Sequence, residues 1–251
     1  MPHLYILTGA SRGMGLALAQ QLLSPSHRLL CLARSINADL AAQAKTCGCT
    51  CEQWPQDLAD APAAASRLRA WLRTFDPASC ASATLINNAG VISRIGALED
   101  SDDADVSNAL RVGLEAPMLL TSAFLDATRH WTAPRKVLNV SSGLGRRAMA
   151  GSAAYCAAKA GMDHFTRSVA LEQAALPHGA RIVSLAPGVI DTDMQVQLRG
   201  SDPAGFPDRE RFVQLQVQGQ LSTPDDAARR LLAYLARHDF GDAPVADVRD
   251  A

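Results

Sequence analysis

Residues 8–15 read TGASRGMG, directly after the apolar run LYIL at 4–7. A buried strand that closes in small residues and passes at once into Gly9, Gly13 and Gly15 has the makings of a strand-to-helix turn. Glycines at these places permit a tight turn, close approach of a bound group to the backbone, and close packing of helix on strand. The helix start then offers free amides and a positive dipole end, which together form a phosphate site. A glycine pattern alone is weak evidence. Its required context, a strand before and a helix after, is present here.

The same alternation continues outward along the chain. LYILTGA (4–10), RLLCLAR (28–34), TLINNAG (84–90), KVLNVSS (136–142) and RIVSLAP (181–187) are nearly continuous apolar runs, as strands buried on both faces of a parallel sheet are. CTCEQWP (49–55) is a weaker strand, and APVADVRD (243–250) would close the far edge. Helical patterns fill 13–24, 37–46, 61–74, 101–129, 155–175 and 224–238. The last opens with Ser222 or Thr223 as cap, then Pro224, Asp225 and Asp226, and ends with Arg237 and His238. This order predicts one α/β domain over residues 1–251, a doubly wound parallel sheet of about seven strands with helices on both faces.

Composition sets the boundaries. The chain has 251 residues, 48% hydrophobic and 20% charged, with a net charge of −1, so no basic surface points to nucleic acid or anionic lipid. No apolar run is long enough to span a bilayer, and MPHLYILTGA lacks a secretory pattern, so a cytosolic protein is expected. Six cysteines in a chain of this length do not form a disulfide framework. The cluster CGCTC (47–51) reads as a reduced turn entering a strand. A zinc site competes with that reading, but no second Cys or His pair lies close in sequence, and no metal is expected.

The second strand ends CLARS. Arg34 stands where an acid would bind a free 2′-hydroxyl, and Arg12 lies within the glycine loop. A guanidinium there favours a 2′-phosphate, so NADP(H) is expected over NAD(H), although either Arg also reads as a solvated charge. Strand-end Ser142 would face the same crevice. Tyr155 follows it on the next helix, with Lys159 on the same helical face one turn later. Taken singly, these residues also read as a turn former, a packing aromatic and a surface charge.

Together, TGASRGMG, NNAG (87–90), Ser142, YCAAK (155–159) and PGVIDT (187–192) resemble the short-chain dehydrogenase/reductase family along nearly the whole chain. The resemblance implies a Rossmann-type sheet in the order 3-2-1-4-5-6-7. It implies Tyr155 as proton donor to a substrate carbonyl, Lys159 lowering the phenol pKa and holding the ribose, and Ser142 positioning the carbonyl. The cofactor would meet Gly9, Ser11, Arg12, Gly13, Met14, Gly15, Arg34 and Ser35 at one end. Asp57 and Leu58 would lie near the adenine, and Asn88, Ala89 and Gly90 near the ribose. Pro187, Gly188, Ile190 and Thr192 would line the nicotinamide side. Family habit also implies a homodimer or homotetramer built on the helices at 101–129 and 155–175.

One position departs from the family. In LRVGLEAPMLLTS, Gly113 takes the place of an Asn that helps to hold a relay water in relatives. The last third resembles the sepiapterin reductase and bacterial benzil reductase branch, through APGVIDTDMQ and RHDFGDAPVADVRD. There Asp247 matches an Asp that anchors a pterin; an edge-strand carboxylate paired with Arg249 is the alternative. Residues 191–210 break the strand–helix rhythm with Gly200, Pro203, Gly205 and Pro207, and a substrate lid over about 191–213 is expected. With Leu144, Met149, Met194 and Phe206 as apolar walls, a bulky ketone or α-diketone fits better than a sugar. The competing readings are a low-turnover NADP(H) sensor, suggested by Gly113, and a 3-oxoacyl or hydroxysteroid reductase.

Overall fold

The computed structural model describes residues 1–250. Seven parallel strands form one sheet in the order β3-β2-β1-β4-β5-β6-β7. They are β1 His3–Thr8, β2 His27–Ala33, β3 Thr50–Pro55, β4 Ser82–Asn87, β5 Arg135–Val140, β6 Arg181–Ala186 and β7 Val245–Asp247. Alternate residues of each strand serve opposite faces. Leu4 and Ile6 enter one core with helices α3 (Ala61–Leu72), α5 (Ala116–Ala127) and α6 (Ala153–Ala174). Leu7 enters the other, with α1 (Gly13–Gln21), α2 (Ala38–Cys47) and α9 (Pro224–Ala236). Both faces are covered, which is why the strands read as continuous apolar runs.

The cysteine cluster is a turn. α2 ends at Gly48, in the left-handed region at φ 73°, and Cys49 leads into β3. The stretch expected as one helix over 101–129 is divided. α4 (Asp103–Leu110) passes through a π-helical turn at Arg111–Glu115 into α5. Gly113 sits in that turn, facing α6: a Cβ built on it would lie 3.1 Å from the Ala158 Cβ. The packing is reciprocal, since a Cβ on Gly161 would meet Leu114 Cδ2 at 2.8 Å. A glycine that looks poor for helix stability therefore lets the π turn press against α6.

The segment after β6 is more regular than its glycines and prolines suggest. It holds α7 (Asp193–Arg199) and α8 (Arg209–Val217). Leu198, Phe206 and Phe212 from this segment close with Ile95 and Met149 into a small separate apolar cluster, which supplies the burial that short helices need. α9 is capped by Thr223, whose hydroxyl accepts from the Asp226 amide at 3.1 Å, and it ends at Ala236.

Candidate active site

Strand order reverses beside β1, where the chain leaves β3 and returns as β4. A crevice at the carboxyl ends of the strands is expected at such a switch point. A cleft of about 1230 Å³ opens there. That exceeds the roughly 300–1,000 Å³ typical of a single drug-sized ligand, so it has room for a dinucleotide with a second molecule beside it.

The glycine loop is locked by backbone proximity. A Cβ on Gly15 would sit 2.0 Å from the Gly9 carbonyl oxygen, so no other residue fits. Asn88 ties the loop to β4: its Nδ2 donates to Thr8 O at 2.9 Å, and its own amide donates to Thr8 Oγ1 at 3.0 Å. Asn87, the first Asn of NNAG, is buried between strands and donates to Asn139 Oδ1 at 2.8 Å. At the start of α1, Arg12 makes no side-chain capping bond and the first turn holds no acid. The open amides there suit an anion.

Tyr155 and Lys159 are buried one turn apart on α6, and Ser142 follows β5. Lys159 Nζ donates to the Val140 carbonyl at 2.8 Å and lies 5.7 Å from the centre of the Tyr155 ring. Burial pushes the Tyr155 phenol up to about 12, and a hydrogen bond with Ser142 opposes that rise. Burial pulls Lys159 down to about 8, opposed by the Asp163 carboxylate. Ser142 Oγ accepts from the Leu144 amide at 3.1 Å, which holds the short turn Gly143–Gly145 in place.

The cleft brings together nearly all the residues expected in it. Gly9, Ser11, Arg12, Gly13, Met14, Gly15, Arg34, Asp57 and Leu58 line one end. Asn88, Ala89, Gly90, Ser142, Leu144, Tyr155, Lys159, Pro187, Gly188, Ile190, Thr192, Met194 and Asp247 line the rest. Three expected residues lie elsewhere. Ser35 is exposed beyond β2 and off the cleft wall. Met149 and Phe206 are buried in the cluster behind the wall, Phe206 stacked on Phe212 with ring centres 5.6 Å apart, and Phe212 lines the cleft instead. Asp247 lines the mouth in the paired form: Arg249 donates to it through Nε at 2.8 Å and Nη2 at 2.6 Å. Arg12 is likewise engaged, its Nη1 2.7 Å from Asp193 Oδ2.

Two buried polar groups escaped the reading of the sequence. Gln195 lines the cleft with its Oε1 buried and unpartnered among the described residues; it closes the stretch APGVIDTDMQ, but nothing in that spacing points to a role for it. Asp163, behind Lys159, had a visible signal, because it continues the four-residue spacing of Tyr155 and Lys159.

Residues 3–202 match the family model described as short chain dehydrogenase. The chain belongs to that family. Benzil reductase ((S)-benzoin forming) of Bacillus cereus is 33% identical, over 96% of this chain and 96% of its own length. The sepiapterin reductase of Meriones unguiculatus is 34% identical, over 98% of this chain and 95% of its own. Among solved structures, a short-chain dehydrogenase/reductase from Burkholderia vietnamiensis is 35% identical, with full coverage of both chains and a TM-score of 0.66. A metagenomic short-chain oxidoreductase in complex with NADP is 26% identical over 98% of this chain and 94% of its own, with a TM-score of 0.72. This short-chain dehydrogenase is an oxidoreductase of small molecules that uses a nicotinamide cofactor. No helix among the described residues is long and apolar enough to cross a membrane.

Proposed function

We propose that the protein is an NADPH-dependent carbonyl reductase that converts a bulky ketone or α-diketone to the alcohol. The observation that carries this reading is the meeting of Ser142, Tyr155 and Lys159 on one wall of a cleft that also contains the uncapped start of α1. The names of the benzil and sepiapterin reductase relatives support the substrate class.

The residues present fit the cofactor. The α1 amides and glycine loop would take the pyrophosphate. At Gly90 an added Cβ would still lie 3.8 Å from Lys159 Nζ, so the wall beside the lysine is bare enough for a ribose. Arg34 would hold the 2′-phosphate, with Arg12 joining it on release from Asp193. When bound, the nicotinamide supplies the hydride.

The chain's own groups do the rest. Ser142 would donate to the substrate oxygen and fix its place. Tyr155 would pass its phenolic proton to that oxygen as negative charge develops there. Lys159, pinned by the Val140 carbonyl, would bring a positive charge beside the phenol and favour loss of its proton. Leu144, Met194 and Phe212 would shield the reacting carbon from water, beneath a lid formed by residues 191–213. Asp247 would take a donor group of a substrate that displaces Arg249.

The test follows loss of NADPH or NADH absorbance with benzil, sepiapterin and a simple aryl ketone. Rapid NADPH oxidation by a dicarbonyl is expected, falling roughly 10²–10⁴-fold in Tyr155→Phe. A second reading, a nucleotide-binding protein of low turnover, rests on Gly113, which offers no side chain to a relay water. Tight NADPH binding with no carbonyl consumed would favour it and overturn the first.

A further inference from the structure

Five groups of alternating charge lie in a row from the buried lysine to the mouth of the cleft. Lys159 and Asp163 are one turn apart on α6 without a direct ion pair, the Lys159 ammonium being turned to the Val140 carbonyl. Asp163 Oδ2 lies 3.3 Å from Arg146 Nε, Arg146 Nη1 lies 3.8 Å from Asp247 Oδ2, and Asp247 is paired with Arg249. Asp163 is almost wholly buried, and its other oxygen accepts from Ser141 Oγ at 2.5 Å and Ser184 Oγ at 2.6 Å. A buried carboxylate is retained only where hydrogen bonds and countercharges satisfy it. Here it joins the ends of β5 and β6 to α6, next to the strand-end Ser142.

The approach of Arg146 is also built into the backbone. A Cβ on Gly145 would stand 2.9 Å from both Asp163 Oδ2 and the Lys159 carbonyl. Only a residue without one lets the Gly143–Gly145 turn lie flat on α6 and deliver the next side chain to Asp163. Arg146 Nη2 is then fixed by the Ala246 carbonyl at 2.8 Å, which ties the turn to β7.

We infer that Asp163 is a positioning residue for Lys159, and that Arg146, shared between the Asp163 and Asp247 carboxylates, sets how much of the Asp163 charge acts on that lysine. The inference relies on the proposed reductase chemistry only in naming Lys159 as partner of the proton donor. Its physical content is a charge balance in the ligand-free protein. The groups around Lys159 are Tyr155 and Asp163 on its own helix, the Val140 carbonyl on β5, and Arg146 and Asp247 beyond Asp163. Removing the carboxylate charge leaves the buried ammonium less favoured. Removing the guanidinium has the opposite effect, because it takes away the positive charge that competes with Lys159 for Asp163.

The chain has three lysines, Lys45, Lys136 and Lys159, so a titration of protein carrying ¹³Cε-labelled lysine resolves each one by NMR. Neither cofactor nor substrate is needed, so the outcome is independent of whether any carbonyl is reduced. Asp163→Asn should lower the Lys159 midpoint by about one pH unit or more. Arg146→Gln should raise it, and Arg146→Lys, which keeps the charge, should leave it near the parent. If the reductase is active, the alkaline limb of kcat/KM should move in the same directions. A folded Asp163→Asn protein with an unmoved Lys159 midpoint would overturn the inference. If that variant does not fold, Arg146→Gln decides alone, and an unchanged or lowered midpoint there overturns it.

Discussion

The two ends of the cleft are built on different principles. At the glycine loop, neighbours in sequence constrain one another through the backbone, and the Gly9 carbonyl alone excludes any side chain at position 15. Under α7 and α8, residues from distant segments (Ile95, Met149, Leu198, Phe206 and Phe212) meet in a cluster held by packing alone. Geometry set by the backbone admits almost no variation, whereas geometry set by packing can be rebuilt with other apolar residues of similar volume. Under the proposed function, one end would therefore suit a ligand shared across a family, and the other a substrate that differs from one relative to the next.

This contrast can be attacked at either end. The largest effect is expected from Gly15→Ala, whose methyl would overlap the Gly9 carbonyl and stand 2.5 Å from Asn88 Nδ2. Thermal unfolding should show a loss of about 3 kcal/mol or more, and a stable, fully binding variant would show that the loop is as adaptable as the apolar cluster.

Arg34→Gln should come next. Loss of one charge-assisted contact should weaken NADPH roughly tenfold to a hundredfold while leaving NADH nearly unchanged, as read by fluorescence titration. Equal losses for both cofactors would place the 2′-phosphate elsewhere.

Between the two ends, Tyr155 and Lys159 make stability depend on pH. Lys159 titrates near 8 in the folded protein against an ordinary 10.5, so between those values the unfolded chain binds the extra proton and stability rises with pH. Tyr155 titrates near 12 against an ordinary 10.0, so above 10 the folded chain keeps a proton the unfolded one loses, and stability falls. Urea midpoints measured against pH should climb from 8 towards 10 and then turn over. Lys159→Met should flatten the climb, and an unaltered climb would assign it to other groups.

The smallest effect is expected at α7. Met194→Ala should raise KM for an aromatic dicarbonyl about threefold to tenfold with little change in stability, because one apolar wall is shortened at a partly exposed site. A loss on the scale of Gly15→Ala would mean that α7 is as tightly determined as the loop.

The sequence by itself determined the sheet and most of the cleft, while the strand order followed only from the family resemblance. Strands buried on both faces must be apolar throughout, and the glycine loop, Tyr155 and Lys159 announce themselves through spacings of one turn or less. Tertiary structure alone decided the rest. Gly113 makes sense only against Ala158 of another helix, Phe206 is buried in a stack with Phe212, and Asp247 is engaged by both Arg249 and Arg146. The Asp163–Arg146 contact spans 17 residues and depends on a turn that Gly145 allows to lie flat. Short-range constraints leave a periodic trace in the chain. Contacts between distant segments leave none, because their partners are chosen by where the sheet and helices bring them.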